Sequence, residues 1–267
     1  MFRRTFLQHF GLALGVFPSR VASAQTRGTL TIAAAADLQT VLPAIAGRFE
    51  KTTGITPILT FGASGSLFAQ IQNGAPFDLF LSADAEYPRR LAAAGHIDAG
   101  SVYDYATGRL VVWTRQDSGL DVNKGLPLLV DPRVRRIAIA NPATAPYGRA
   151  AVAALRTAGV FASVEQKLVN AENVSQAAQL AESGNAQIAL IGHALAVGPL
   201  LRQSGRFVDV PEHLHPPIVQ SAGVVSTSRE KNAAQAFLIF LKSADGAAML
   251  RTFGFIVPTD PKSPARQ

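Results

Sequence analysis

Short apolar runs alternate along the chain with longer stretches in which apolar residues recur every three or four positions. The runs include LTIAAAA, TPILTF and FDLFLSAD, and the stretches that follow them include LQTVLPAIAGRFEKTTG, SLFAQIQNG and EYPRRLAAAG. Such runs are typical of buried strands, and the three-to-four spacing is typical of amphipathic helices. The alternation predicts βαβ units, and hence an α/β fold with a doubly wound parallel sheet flanked by helices.

Glycines mark the ends of the predicted helices. Each of them follows an apolar-periodic stretch, at the place where a left-handed residue ends a helix: Gly54, Gly74, Gly95 and Gly159. A second series of units begins near GRLVVWTR and continues through RRIAIANPATAPYGRAAVAALRTAG to AQIALIG. Near QSAGVVSTS the alternation gives way to two predicted helices, residues 229–242 and 245–253. Two series of units predict two lobes.

The stretch MFRRTFLQHFGLALGVFPSRVASAQ at the N-terminus has the plan of an export signal. A basic start precedes a short apolar run, and Ala22-Ser23-Ala24 forms a cleavage site. The stretch RRTFLQ resembles a twin-arginine signal, from which Phe2 and Gln8 depart, so general secretion stays open as the route. The run is too short to span a bilayer, which needs about 20 residues. We expect a signal peptide over residues 1–24 and a soluble mature protein in the periplasm.

Charge and composition narrow the function further. The 267 residues carry a formal net charge of +7, which falls to +4 without residues 1–24 because that segment holds three arginines and no acids. This mild excess suits small anions but lacks the dense Lys and Arg stripe of a nucleic-acid-binding surface. The chain has no cysteine, which excludes disulfides, thiol catalysis and cysteine-bound metals.

The stretch FGASGSLF, residues 61–68, places small residues and hydroxyls directly before a predicted helix. The first amides of a helix have no partner within it, and the helix dipole adds positive charge, so such a junction favours an anion. It is not a P-loop, because no Lys follows the glycines, and it is not a nucleophile elbow, because Gly65 directly follows Ser64. Ordinary helix capping is the alternative for one such junction alone.

Similar junctions occur at Asp37, at Tyr147 and at Asn173–Val174. In open α/β sheets they lie at the carboxyl ends of strands, where ligands bind. Two facing lobes would therefore direct several helix starts into one cleft, and their convergence favours an anion-binding site.

Five segments of the chain resemble the molybdate-binding proteins of bacterial ABC importers. They are AAAADL (33–38), FGASGSLFAQIQNGAPFDLFLSAD (61–84), IAIANPATAPYGRAAVAAL (137–155), AENVSQAAQL (171–180) and RTFGFIVP (251–258). The resemblance covers the whole mature chain and implies a two-lobed type II periplasmic binding fold, with a mainly parallel sheet in each lobe and the ligand cleft between the lobes. We place lobe I at residues 25–108 plus 223–267 and lobe II at residues 109–222.

The resemblance also implies a function. It implies a monomeric binding protein, not an enzyme, that captures molybdate or tungstate without a cofactor and delivers it to a membrane permease. In that family hydroxyls and backbone amides bind the oxyanion. Ser64 would contribute its hydroxyl, and Tyr147 and Val174 their backbone N–H groups. Whether the protein serves a permease or a sensor stays open.

Two positions depart from the family pattern. Asp37 stands where many members have a serine, and Gly192 stands where many have a tyrosine whose hydroxyl reaches the anion. We expect the Asp37 side chain to cap its own helix at the amide near Thr40, while backbone N–H groups beside it face the anion. The alternative is that Asp37 accepts a proton from the ligand, which would favour hydrogen phosphate. His193 either replaces the donor missing at Gly192 or faces solvent.

Other classes of function depend on few residues. A hydrolase would need Ser64, His193 and Asp37 to form a triad, for which the sequence offers no elbow. A metal site could use His213 and His215, but the Pro-rich surroundings favour a surface loop. A ferric site of this fold class would need paired tyrosines, and no two of the four tyrosines are adjacent in the sequence.

Overall fold

The structure is a computed structural model that describes residues 28–258. The predicted signal peptide, with its cleavage after Ala24, lies outside the described residues. In the described part the strands are β1 (Thr29–Ala35), β2 (Thr56–Gly62), β3 (Leu79–Ser82), β4 (Tyr103–Gly108), β5 (Leu110–Arg115), β6 (Ile137–Ala140), β7 (Leu168–Ala171), β8 (Ile188–Gly192), β9 (Gly205–Asp209) and β10 (Ile218–Val224). The helices are α1 (Leu42–Thr53), α2 (Ser64–Gln72), α3 (Glu86–Ala93), α4 (Pro146–Thr157), α5 (Phe161–Val164), α6 (Val174–Glu182), α7 (His193–Ala196), α8 (Pro199–Ser204), α9 (Lys231–Lys242) and α10 (Ala244–Thr252).

The strands form two sheets, in the orders β2-β1-β3-β10-β4 and β7-β6-β8-β5-β9. β1 runs parallel to β2 and β3, and β6 runs parallel to β7 and β8. The antiparallel pairs all involve β10 or β5, which enter their sheets from the other lobe and not through a helical crossover. The two-lobed α/β fold is confirmed. Each sheet is mixed but mainly parallel, because four of its five strands run in one direction and only β10 or β5 runs against them.

The chain crosses between the two sheets at two places. The first crossing is at Arg109, between β4 and β5, next to the predicted boundary after residue 108. The second was predicted between residues 222 and 223, which lie within β10, yet β10 pairs with β3 and β4 in the first sheet. We therefore propose that lobe I resumes by Ile218, since the strand before it, β9, belongs to the second sheet.

Helix ends follow the sequence pattern closely. The four glycines predicted to end helices all have positive φ, from 72° at Gly159 to 84° at Gly74. The predicted C-terminal helices are α9 and α10. Within residues 28–258 no single helix is long and apolar enough to cross a membrane, although α9 and α10, bent by 65°, meet the length and composition criteria as a pair.

The core of lobe I lies between its sheet and the helices α1 and α9. Phe49 on α1 and Phe237 on α9 are fully buried, and their ring centroids lie 5.0 Å apart in an edge-to-face arrangement. In lobe II the helices α4 and α6 both pack against β6 and β8. Both cores leave the carboxyl ends of the parallel strands facing the region between the lobes.

Replacing Phe237 with Ala should lower the free energy of unfolding by about 3–5 kcal/mol, because it leaves a cavity beside Phe49. The matched control is Ile239→Ala on the same helix, where the side chain is 67% exposed and the expected change is within about 0.5 kcal/mol. Urea unfolding followed by circular dichroism measures both. Equal effects of the two substitutions would contradict the assignment of the core face of α9.

Candidate functional site

The lobes are in direct contact around the cleft. The Gly65 N–H, at the start of α2, donates to the Thr144 carbonyl oxygen of lobe II at 2.8 Å. From the other side of the cleft, the Thr40 hydroxyl donates to the Ala194 carbonyl oxygen at 2.8 Å. These bonds join backbone segments that directly border the cleft, so the described conformation is closed.

Side chains reinforce this closed arrangement. The Ser175 hydroxyl donates to the Gln39 side-chain oxygen across the cleft. Arg149 of lobe II forms an ion pair with Asp84 of lobe I, and its guanidinium also donates to the Tyr87 hydroxyl at 3.2 Å. Opening the lobes would therefore break an ion pair and several hydrogen bonds.

A narrow space, with a cavity volume of about 10 Å³, lies between the closed lobes. It is lined by the 3-10 turn 36–39 that follows β1 and by the starts of α2, α4 and α6. Four of the five predicted site residues line it: Asp37, Ser64, Tyr147 and Val174. The structure thus brings together junctions that are more than 130 residues apart in the sequence.

The starts of these elements present amides that no side chain caps, although the Gly65 N–H of α2 is already bonded to Thr144. Neither the 3-10 turn nor α2 nor α4 has a side-chain cap. Helix α4 begins with Pro146, which has no N–H, so its first free amide is that of Tyr147. Helix α6 is capped by Asn173, whose side chain accepts from the amides of Ser175 and Gln176 and leaves that of Val174 uncapped. Such amides at helix starts favour a negative charge.

The Ser64 side chain is buried, and its hydroxyl proton is available to donate. Ser64 is the first residue of α2 and is 1% exposed. Its oxygen accepts the Ala83 N–H at 3.0 Å, so its hydroxyl proton is left to donate elsewhere. The side chain also lines the interlobe space, and it is therefore placed to donate to a guest there.

The predicted cap by Asp37 is wrong. The turn 36–39 has no side-chain cap, and the fully buried Asp37 carboxyl instead accepts a hydrogen bond from Gln220 Nε2 at 2.7 Å. Gln220 lies on β10 at a bulge, and its side-chain oxygen accepts from the Tyr105 hydroxyl at 3.1 Å. The well-formed hydrogen bond to this carboxyl therefore comes from a residue 183 positions away in the sequence and not from the amide near Thr40.

The Tyr147 side chain is the part of the site that sequence reasoning missed. Its ring is buried, and its hydroxyl lies beside the Asp37 carboxyl without a hydrogen bond of good geometry. A Cβ atom on Gly192 would lie 3.2 Å from this ring, and one on Gly108 would lie 2.2 Å from the hydroxyl. Gly192 itself does not line the interlobe space; the Tyr147 ring occupies the volume next to it.

Burial governs the protonation of this cluster. Loss of water contacts raises the pKa of Asp37 to about 6, while the Tyr147 hydroxyl, the Gln220 amide and nearby backbone N–H groups keep it from rising further. Burial also raises the pKa of Tyr105 and Tyr147 well above the usual tyrosine value, and the charge of Asp37 adds to that effect. Both phenols are therefore neutral hydrogen-bond donors.

His193 neither faces the anion space nor extends into solvent. Its Nδ1 lies 2.9 Å from Asp209 Oδ1, and its ring packs against Phe207 with centroids 5.1 Å apart. Arg109 also pairs with Asp209 at 2.5 Å. His193 is therefore part of an ion-pair cluster at the lobe crossing and does not supply the donor missing at Gly192.

The residues of the hypothetical hydrolase triad have different partners: Ser64 accepts from Ala83, Asp37 from Gln220, and His193 pairs with Asp209. His213 and His215 lie in the loop between β9 and β10. Within residues 28–258 no group of three or more His, Cys, Asp or Glu side chains could hold a metal ion. The fold and the cleft thus define a two-lobed solute-binding protein whose site donors are neutral.

Comparisons with known proteins give the family. Residues 30–256 match the family of bacterial extracellular solute-binding proteins. The molybdate-binding protein ModA of Rhodobacter capsulatus is 36% identical over 229 residues, which cover 86% of this chain and 88% of that protein. The solved periplasmic molybdate-binding protein of Azotobacter vinelandii is 32% identical, with a TM-score of 0.81 over 86% of this chain and 100% of its own. The chain belongs to the bacterial extracellular solute-binding proteins, and the predicted resemblance is confirmed.

More distant relatives agree with this assignment. The molybdate-binding protein ModA of Escherichia coli (strain K12) is 28% identical over 235 residues, which cover 86% of this chain and 90% of that protein. Both of these curated relatives, from Rhodobacter capsulatus and Escherichia coli, are named as binding proteins.

Replacing Gln220 with Leu should destabilise the protein by about 2–5 kcal/mol at pH 8, because it leaves the ionised Asp37 and the Tyr105 hydroxyl without their buried partner. Gln220 lowers the pKa of Asp37, whose value is about 6, so the loss should shrink as pH falls through 6 and the carboxyl becomes neutral. Urea unfolding at pH 8 and pH 5 tests this.

Gln70→Leu, at an exposed position on α2, is the control and should be nearly neutral at both pH values. A cost for Gln220→Leu that is the same at pH 5 and pH 8 would contradict the role assigned to its bond with Asp37.

Proposed function

We propose that this solute-binding protein captures molybdate, or the similar tungstate, in the periplasm and delivers it to the permease of an ABC importer. The observation that carries the proposal is the convergence of uncapped helix starts and the Ser64 hydroxyl on one small closed space. The relatives named as molybdate-binding proteins support the choice of ligand. We further propose that the protein is a monomer, since each lobe supplies part of the site within one chain.

The chemistry of the donors suits a tetrahedral oxyanion. Backbone N–H groups beside Asp37 and at Tyr147 and Val174, together with the Ser64 hydroxyl, would bind its oxygen atoms from both lobes. These donors are neutral, so the dianion would be stabilised by hydrogen bonds and helix-end dipoles and not by a Lys or Arg. The donors touch oxygen atoms only, and the molybdenum itself needs no protein ligand.

The alternatives are weaker on the same geometry. Phosphate, with Asp37 accepting its proton, is the alternative ligand, but the relatives named above are molybdate-binding proteins and none of these names points to phosphate. Hydrolysis would need His193 beside Ser64, whereas His193 pairs with Asp209. Binding without chemistry is therefore the function that the site supports best.

Replacing Ser64 with Ala should weaken molybdate binding by about 1.5–3 kcal/mol, or roughly 10- to 150-fold, the usual loss for a hydrogen bond to a charged group. The control is Ser66→Ala, two residues along the same helix and outside the interlobe space. Calorimetric titration of anion-stripped protein with molybdate, tungstate, sulfate and phosphate measures the affinities. An unchanged affinity in Ser64→Ala would remove this hydroxyl from the site.

Replacing Gly65 with Ala should impair closure. The new Cβ would lie 2.7 Å from the Thr144 carbonyl oxygen across the cleft, so the lobes could not reach the described separation. We expect molybdate affinity to fall at least about tenfold and the ligand-induced compaction in small-angle scattering to decrease.

The matched control for closure is Gly47→Ala in α1, where a Cβ meets nothing within 4 Å. It should bind and close like the parent protein. If Gly65→Ala also closes fully with unchanged affinity, the contact between Gly65 and Thr144 does not belong to the ligand-bound state.

A further inference from the structure

Four buried polar side chains form a cluster behind the interlobe space, which we call the hinge cluster: Tyr105, Gln220, Asp37 and Tyr147. Tyr105 lies on β4 and Gln220 on β10, the strands of lobe I that adjoin the two crossings. Asp37 lies in the turn after β1, and Tyr147 reaches it from α4 in lobe II. Closure of the lobes therefore brings the phenol to the carboxyl.

Hydrogen bonds fix the direction of donation in one half of the hinge cluster. The Tyr105 hydroxyl donates to Gln220, and the Gln220 amide donates to Asp37 Oδ2. Oδ2 is therefore an acceptor in either protonation state. In the other half, Asp37 Oδ1 and the Tyr147 hydroxyl are both buried, and neither makes a hydrogen bond of good geometry. Such buried unpaired groups are rare and call for a physical reason.

We infer that Asp37 takes up one proton when the oxyanion binds, and that this proton releases the Tyr147 hydroxyl to donate to the anion. The inference rests on the proposed function. In the closed protein without the anion, Asp37 is a carboxylate and the Tyr147 O–H points to Oδ1. With the anion, a proton from solvent binds Oδ1, the new O–H donates to the Tyr147 oxygen, and the phenol proton turns to an anion oxygen. No other bond forms or breaks.

Electrostatics drives the uptake. Asp37 and the proposed anion donors line the same small space, so a dianion there opposes a second negative charge. The carboxyl has no basic partner among the described residues, and burial, partly offset by hydrogen bonds to it, already raises its pKa to about 6. A bound dianion raises that pKa further, and the carboxyl is then neutral near pH 7.

Other titratable groups around the turn do not offset this effect. β1 and β2 contain none, and His193 on α7 pairs with Asp209. On α6 the only titratable group is Glu182, at the far end of the helix. The titratable side chains of α1 are exposed: Arg48, Glu50 and Lys51. Within the described chain, Tyr105 and Tyr147 are the titratable groups that face the carboxyl.

The sign of the pH dependence follows from the uptake. Because the complex holds a proton that the free protein lacks above pH about 6, molybdate affinity should fall as pH rises, by up to about tenfold per pH unit. Replacing Asp37 with Asn supplies a neutral group with an N–H in place of the acquired O–H. That variant should bind molybdate with no proton uptake and, near pH 8, more tightly than the parent protein.

The test is calorimetric titration of the full mature protein with molybdate between about pH 6 and about pH 8.5, in pairs of buffers that differ in ionisation enthalpy. We expect an uptake that approaches one proton near pH 7.5 in the parent protein and no uptake in Asp37→Asn. Asp245→Asn, at an exposed carboxylate on α10, is the control and should keep the parent uptake. Tyr147→Phe keeps the carboxyl and should retain uptake while binding more weakly at every pH.

The outcomes separate this inference from the proposed function. Molybdate binding by the parent protein without proton exchange overturns the inference and leaves the proposed function standing. Uptake in Asp37→Asn equal to that of the parent also overturns it. Failure of the parent protein to bind molybdate at any pH overturns the proposed function itself. If Asp37→Asn does not fold, the uptake and pH dependence of Tyr147→Phe and the parent decide the question.

Discussion

Main-chain amides that no side chain caps, at the starts of three elements, are the constraint on which the proposed site depends. Helices leave their first N–H groups without partners, and here the 3-10 turn after β1 and the helices α2 and α4 lack side-chain caps. Closure takes these amides away from bulk water, as the bond between Gly65 and Thr144 and the pair of Arg149 with Asp84 show. Without an acceptor the closed state would bury unsatisfied donors, so binding and closure are linked.

The buried Asp37 carboxylate is tolerated beside the proposed anion site because hydrogen-bond donors on β10 and β4 stabilise it. Gln220 holds one oxygen, and the Gln220 carbonyl is held in turn by Tyr105. That chain of donation comes wholly from lobe I, so it persists whether the lobes are open or closed. Tyr147 adds a contact that exists only in the closed state, since it belongs to lobe II. The protonation of Asp37 and the position of the lobes are therefore coupled.

Local rules in the sequence predicted much of the fold and part of the site. Helix ends at Gly54 and Gly159 follow from backbone conformation, and the junctions at Ser64 and Val174 follow from where strands give way to helices. The partner of Asp37 could not be predicted in this way, because a local N-cap and a glutamine 183 residues away compete for the same carboxyl. Gln220 lies at a bulge of β10, and the sequence carries no local signal for the position of that bulge.

Gly192 shows that a hydrogen-bond donor is identified by where its side chain lies in space and not by its position in the sequence alone. A binding site needs a hydrogen-bond donor at a given place beside its ligand, and side chains from different segments of the chain can reach that place. Here Tyr147 enters from α4, and the glycines at 108 and 192 leave room for its ring and hydroxyl. A side chain at position 192 would begin 3.2 Å from that ring, so the ring would have to shift to make room for it. Gly192 thus leaves space for the Tyr147 ring, and in our proposal the Tyr147 phenol takes the place of the hydroxyl that many family members have at position 192.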